Sequence, residues 1–337
     1  MSSIAISAGS TTIYWSAIII AFAVAACFSL SLALYTSYAG PARTIWVMLP
    51  FAVLLSVLFS RMIHWYCHAE QYAGFIGAVT DYSGGGYCLP GAFLGTVLAA
   101  YIVVAMGFGK KVSRVLDSVA PGAALGIALI RFSALFNNSC RSKIVVESPK
   151  LQHLPLAAPV YSGGTVSYHF ATFFIQGIIL LILFALLLRF FLRRRNRPMK
   201  GGLSRDGHVA RMFLVWYSAI ELVADSTRYD SSFMHFNGFV SIVQMFSAFC
   251  ILGVLIYYSV MSIRVNGHRA SQWGIWIGWF LSLVCVGVSE YMVQRHGDLY
   301  LICYTTMSLG ALGMALTVRA MYSGCCKKRT FQTEEDG

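Results

Sequence analysis

Ionisable side chains are scarce in the apolar stretches of this sequence, and each one found there is a candidate for chemistry, because lipid does not accept charge cheaply. Arg131 stands in Leu129-Ile130-Arg131-Phe132-Ser133, with apolar residues on both sides. A guanidinium so placed either snorkels to the interface or grips phosphate or carboxylate oxygens, which its planar fork bonds in pairs. The phosphate available at that depth is a lipid headgroup. Glu221, Asp225 and Arg228 are spaced by four and three residues, so one helix would carry all three on one face, turned into the bundle. Arg61 and His64 close an apolar run, His169 opens another, and Glu290 ends a third. His169 and His64, with His68 behind them, titrate near neutrality when unperturbed. Each is either a proton acceptor or a plain interfacial histidine.

These residues must be positioned by membrane helices. Of the 337 residues 58% are hydrophobic and 11% charged, against roughly 25% charged in a soluble domain. Runs of about 20 apolar residues, enough to cross a bilayer, recur at 13–35, 44–66, 89–108, 118–136, 166–192, 210–227, 237–262, 272–294 and 298–321. The fold class expected is an all-α polytopic membrane protein of about nine transmembrane helices. The first run lacks a basic leader and is too long for a signal-peptide core, so it reads as a retained span. Most of the 25 Lys and Arg residues fall in alternate loops: Arg43, Lys110 to Arg114, Arg189 to Arg211, Arg264 and Arg269, and Arg319 to Arg329. The positive-inside rule then puts the N-terminus outside and the C-terminus in the cytoplasm of a plasma (inner) membrane protein. Arg131, Arg61, His169 and Glu290 fall toward the outer face, which suggests one outward-facing polar cavity.

The net charge of +12 follows that loop pattern, and no nucleic-acid motif accompanies it. The nine cysteines show no metal-ligand spacing, and no metal or cofactor is expected. Cys88 and Cys140 fall on the same expected outer side and could pair, although spacing alone does not establish a disulfide.

From Ile13 to about residue 262 the sequence resembles the prolipoprotein diacylglyceryl transferases, bacterial membrane enzymes that move diacylglycerol from phosphatidylglycerol to a lipobox cysteine. Ile13-Tyr14-Trp15 is similar to the family's opening element, and Arg61 falls at its Gly-Ala-Arg arginine. The segment from Gly85 to Gly95 matches a glycine-rich family motif in length and glycine placement. Ile130 to Ser139 resembles the signature G-R-x-G-N-F-x-N-x-E, and Tyr217 to Asp230 the segment Y-G-x-x-R-F-x-x-E-F-x-R-x-P-D. Arg61, Arg131, Asn137, Arg228 and Asp230 are retained. Pro90 stands where the family has its essential histidine, Ala134 and Ser139 replace an asparagine and a glutamate, and Glu221 and Asp225 replace an arginine and a glutamate.

The resemblance implies a family-like seven-helix core over 1–265, two additional helices over 266–324 and a cytoplasmic tail over 325–337. It implies phosphatidylglycerol and a membrane prolipoprotein as partners. The headgroup would be held by Arg131, Asn137, Arg228, Arg61, Asp225 and Glu221. With the family histidine replaced, His169 or His64 would deprotonate the acceptor thiol. Two alternatives stay open. A non-catalytic or substrate-shifted relative would bind phospholipid or a membrane partner in the same cavity. A transporter would spread polar residues through the bilayer midplane, and their expected outer placement counts against it.

Overall fold

Apolar runs of this length must satisfy their backbone internally, and in lipid the helix is how a single run does so. In the computed structural model the described residues are all but 1–3, 9–10, 39, 73, 81–85, 87, 138–139, 163–164, 196–205, 235–236, 297–298 and 336–337. Gly84, Gly85, Tyr87, Asn138, Ser139, Asn196 and Arg197 therefore lie outside the described residues.

A hairpin of β1 (Ile4–Ala8) and β2 (Thr11–Tyr14) leads into α1 (Trp15–Ser37) and α2 (Ala42–Cys67). The short α3 (Phe75–Thr80) precedes α4 (Leu89–Ala105) and α5 (Val112–Ser133). After α6 (Pro149–Gln152), the hairpin of β3 (Ala157–Ser162) and β4 (Thr165–Phe170) introduces α7 (Thr172–Arg195). Then come α8 (His208–Ser226), β5 (Phe233–Met234), β6 (Asn237–Ser241), α9 (Ile242–Asn266), α10 (Ala270–Arg295) and α11 (Tyr300–Glu335). The protein is predominantly helical. Each of the nine expected spans has its long helix among the described residues, and seven of those helices are long and apolar enough to cross a membrane. The apolar α4 is shorter, at 17 residues, and α8 carries Arg211, Glu221 and Asp225 within 19.

Three boundaries differ from the sequence expectation. Residues 166–170 form β4 rather than the start of span five, so His169 lies on a strand. Residues 237–241 likewise form β6. In addition, α5 begins at Val112, which draws Asp117 into a helix.

The chain divides into two compact units. The first comprises residues 1–192, 206–213 and 227–231. In it α2 packs on α4 and α1 on α5. The α2–α4 contact is close because α4 offers glycine to it. A Cβ at Gly91 would come 2.3 Å from the backbone N of Ser60, and one at Gly95 2.4 Å from that of Ser56. With the backbones this near, Ser60 Oγ donates to the Cys88 carbonyl at 2.7 Å and Ser56 Oγ to that of Ala92 at 2.9 Å. Small residues spaced by four, with hydroxyls crossing the seam, are a recurrent way to join helices in lipid.

Asp117 does corresponding work at the start of α8. Its two carboxylate oxygens accept from the backbone N–H of Gly207 at 2.6 Å and of Ala210 at 2.8 Å. It thereby satisfies donors that a helix N-terminus leaves open and sets negative charge at the positive end of the dipole. Lys111 and Arg114 hold Asp206 alongside, at 3.1 and 3.6 Å.

The second unit comprises residues 193–205, 214–226 and 232–337. Its core is built from Ile251, Leu255, Tyr258, Met307, Met314 and Trp279 with their neighbours, and α11 packs on both α9 and α10. A capping box starts α9: Ser241 Oγ accepts from Gln244 N and Gln244 Oε1 from Ser241 N, both at 3.1 Å.

Gly95→Ala should destabilise the protein by about 1–3 kcal/mol, the cost of overpacking a seam. Gly274→Ala, where an added Cβ meets nothing within 4 Å, should be neutral or slightly stabilising. Thermal unfolding of both variants in detergent checks the contrast. Asp117→Ala should cost about 1–2 kcal/mol, as the loss of an N-terminal cap does, and the same assay reads it.

Candidate active site

Arg131 sits in the last turn of α5 and is 5% exposed. After Ser133 the chain tightens into a 3-10 turn over Ala134–Phe136, passes Asn137 and reaches Cys140. Arg131 Nη1 donates to Cys140 Sγ at 3.0 Å. Arg228 Nη1 approaches the same sulfur at 4.0 Å. The Cys140 N–H donates to Asp230 Oδ2 at 3.0 Å, and Arg141 Nη2 donates to the Asn137 carbonyl at 2.8 Å. Arg141 itself lies over the Phe173 ring, 5.3 Å from its centroid. Two guanidiniums from distant parts of the sequence thus converge on one sulfur, and the retained Asp230 fixes the backbone that carries it.

Backbone pairing on both sides makes this convergence possible. On one side Tyr229 N donates to the Arg141 carbonyl at 2.9 Å and Lys143 N to that of Thr227 at 2.7 Å, with Ser142 bridged to Arg228. On the other, Phe170 N donates to the Ile144 carbonyl at 2.9 Å and Val146 N to that of Tyr168 at 2.8 Å. Residues 141–146 therefore form a strap between β4 and the exit of α8. Cys140, at its head, has φ of 57°, the one positive φ outside glycine among the described residues. That conformation costs of order 1–3 kcal/mol and persists where surroundings over-determine it.

This arrangement corrects two expectations. Arg228 does not extend the Glu221–Asp225 face, because α8 ends at Ser226 and the chain turns to pair with the strap. Cys88 and Cys140 are both thiols rather than a disulfide pair, and the Cys140 sulfur is engaged by arginine.

His169 is buried in β4, in register with Ala158 of β3. Its Nδ1 lies 2.8 Å from the Ser142 carbonyl, which can only accept, so Nδ1 carries the proton. Nε2 is then the basic nitrogen, and Ser167 Oγ lies 3.0 Å from it. Ser167 and His169 are two residues apart on a strand and so share a face. The strap that carries Cys140 also fixes the tautomer of His169.

The other histidine candidate belongs to a second cluster, at the end of α2. His64 Nε2 is 3.2 Å from Tyr72 Oη, and its ring stacks on His68 with centroids 4.3 Å apart. His68 Nδ1 donates to the His64 carbonyl at 3.1 Å. Arg61 is fully buried beside them. Gly86, with φ of 82°, lies against this pair: a Cβ there would sit 2.5 Å from His64 Cδ2 and 2.6 Å from Arg61 Nη1. A side chain at that position would displace both residues. Pro90, in the family histidine's place, is buried in the first turn of α4, so that position supplies no base.

Glu221 and Asp225 are buried within the second unit. There Ser241 donates its hydroxyl to Asp225 Oδ2, which ties this carboxylate to the capping box of α9. Glu290 accepts from Gln244 Nε2 and from Gln294 Nε2, both at 2.9 Å.

The reading from sequence missed the place of Cys140, Arg141 and Ser167 in this site. Cys140 directly follows the signature segment, which was the available signal. Ser167, two residues from His169, becomes a neighbour only once the segment is known to be a strand.

Comparison with known proteins places the sequence in a family. Residues 3–260 match the family model described as prolipoprotein diacylglyceryl transferase. Among similar curated proteins are phosphatidylglycerol–prolipoprotein diacylglyceryl transferases of Shouchella clausii and Listeria monocytogenes serotype 4b. The first is 26% identical over 66% of this chain and 77% of its own length. The second is 26% identical over 75% of this chain and 88% of its own. The enzyme of that name from Streptococcus pneumoniae serotype 4 is 27% identical over 60% and 72%. With its signature arginine buried at the end of α5 and more than three quarters of its length matched, the chain belongs to the prolipoprotein diacylglyceryl transferase family of membrane enzymes.

Proposed function

We propose that this protein transfers the diacylglyceryl group of phosphatidylglycerol to a cysteine thiol of a lipobox-containing prolipoprotein, at the outer side of the plasma membrane, with its N-terminus outside and its C-terminus in the cytoplasm. The observation that carries the reading is the convergence of Arg131 and Arg228 on one sulfur, at 3.0 and 4.0 Å. Donors that converge on a polarizable, anion-forming atom form a seat that a phosphate oxygen would also fit.

The reaction forms an S–C bond to the glyceryl carbon and breaks that carbon's bond to phosphate oxygen. Glycerol phosphate leaves with the electron pair. Arg131 and Arg228 hold the phosphate and stabilise the charge that develops on the departing oxygen. Asn137 orients a headgroup hydroxyl, and Arg61, in the cluster at the end of α2, adds positive charge for the anionic lipid. Glu221 and Asp225 belong to the second unit, where Asp225 is bonded to Ser241. The acceptor thiol must lose its proton to become the nucleophile. His169 takes it at Nε2, through the Ser167 hydroxyl, with Nδ1 anchored on the strap; His64 is the second candidate.

Pro90 favours one competing reading, a non-catalytic or substrate-shifted relative that binds phospholipid or a membrane partner in the same place. Expression in bacteria depleted of their own transferase, with lipoprotein maturation followed, decides between the two. Restored maturation supports transfer. Retained phosphatidylglycerol binding without maturation supports the competitor.

Arg131→Ala should abolish phosphatidylglycerol consumption, and Arg131→Lys should leave little, because an ammonium does not replace the fork. Unchanged turnover in either variant would remove Arg131 from the phosphate-binding role. His169→Gln should lower kcat by about 10²–10⁴, the usual contribution of a general base, with KM for the lipid little changed. Ser167→Ala should fall in the same direction by less. A pH–rate profile that keeps its acidic limb in His169→Gln would assign the base elsewhere.

A further inference from the structure

Cys140 has no part in the transfer as derived above, yet its sulfur occupies the seat. Arg131 Nη1 stands 3.0 Å from it, close to the roughly 2.7–2.9 Å at which a guanidinium meets an anionic oxygen. Arg228 Nη1 is 4.0 Å away on the same atom. The backbone that carries the sulfur is held, because the strap is paired on both sides and Asp230 accepts from the Cys140 N–H. Cys140 is nevertheless half-buried rather than sealed, so a small reagent can reach it.

We propose that the Cys140 sulfur and a phospholipid phosphate are mutually exclusive occupants of the Arg131–Arg228 seat, and that Cys140 is a modification site through which a soft electrophile closes the protein to lipid. This inference rests on the preceding reading only in taking phosphate to bind at Arg131. Guanidinium donors favour sulfur in its anionic form, and the thiolate is the nucleophile. With an α-haloacetamide the sulfur attacks the methylene carbon, an S–C bond forms and the carbon–halogen bond breaks. Halide leaves, and the thiol proton passes to solvent. The alkylated sulfur is neutral and larger, and it stays on the strap, against the two arginines. Headgroup phosphate arriving first has the opposite effect, since it takes the donors and leaves Cys140 without the charge that activates it.

The test uses the full chain in vesicles of phosphatidylcholine alone or with added phosphatidylglycerol. Iodoacetamide is applied, and labelling of each cysteine is followed by peptide mass spectrometry. Cys67, also half-buried, serves as the internal reference for surface effects of the anionic lipid. Cys140 should label several-fold faster than Cys67 in phosphatidylcholine and slow several-fold when phosphatidylglycerol is present, with Cys67 unchanged. Equal Cys140 rates in the two vesicles overturn the proposal without recourse to any variant. A folded Arg228→Met protein should lose most of the excess reactivity; a rate equal to that of the unmodified protein counts against the arginine seat. Diacylglyceryl transfer to a lipobox peptide, measured before and after alkylation, separates this inference from the transferase reading. Transfer that survives complete Cys140 alkylation sinks the inference and leaves the transferase standing. Lipid protection of Cys140 in a protein that transfers nothing supports the inference and sinks the transferase.

Discussion

A guanidinium at the end of an apolar helix, 5% exposed, has to be met by partners, because an uncompensated buried charge costs several kcal/mol. Much of the first unit's local structure can be read as the means of meeting that requirement at Arg131. The helix stops two residues later in a 3-10 turn, which frees the chain to fold back across the arginine. The returning strap needs its own backbone hydrogen bonds, and it finds them on β4 and on the segment after α8. Those pairings bring in Arg228 and Asp230 on one side and His169 on the other. A single electrostatic demand thus gathers residues from four separate stretches of sequence.

The same logic explains why the strap tolerates a left-handed residue that is not glycine. Cys140 at φ of 57° is held by a carboxylate on its N–H, by guanidinium donors on its sulfur and by paired backbone on its C-terminal side. Glycine there would ease the backbone but remove the sulfur. In the second cluster the balance falls the other way. Gly86 also has positive φ, but it lies against Arg61 and His64, where a Cβ has no room. One strained position keeps its side chain because the side chain is held; the other is glycine because nothing larger fits.

The helices were legible in the sequence because their signal is local: length, apolarity and the placement of Lys and Arg at their ends. Arg131, Arg61 and His169 were legible as candidates for a related reason, since a charged or titratable residue beside an apolar run stands out against its neighbours. What could not be read was the register between distant segments. The Glu221, Asp225 and Arg228 spacing fits one helical face, and only the bridge of Ser142 to Arg228 shows that the helix ends before the arginine. Likewise, the strand character of Thr165–Phe170 comes from pairing with β3 and with the strap, which lie elsewhere in the sequence. Asp117 falls just before the expected span 118–136, and its partners, Gly207 and Ala210, lie about ninety residues away.

The replacement of the family histidine by Pro90 bears on how such a site keeps or changes its chemistry. Pro90 occupies the first turn of a helix, where its missing N–H is no loss and its fixed φ suits the backbone. Pro90 is buried and precedes Gly91, the residue at which α4 comes closest to Ser60 of α2. Proline carries no titratable group, so a base would come from a different element. His169 meets the structural requirement for that role, because a carbonyl fixes its tautomer and its basic nitrogen faces a hydroxyl on its own strand. The carbonyl belongs to Ser142, on the strap that also carries Cys140. A base on this strand would have its orientation tied to the loop that meets Arg131 and Arg228, so a shift of the strap would alter the histidine and the arginine pair together.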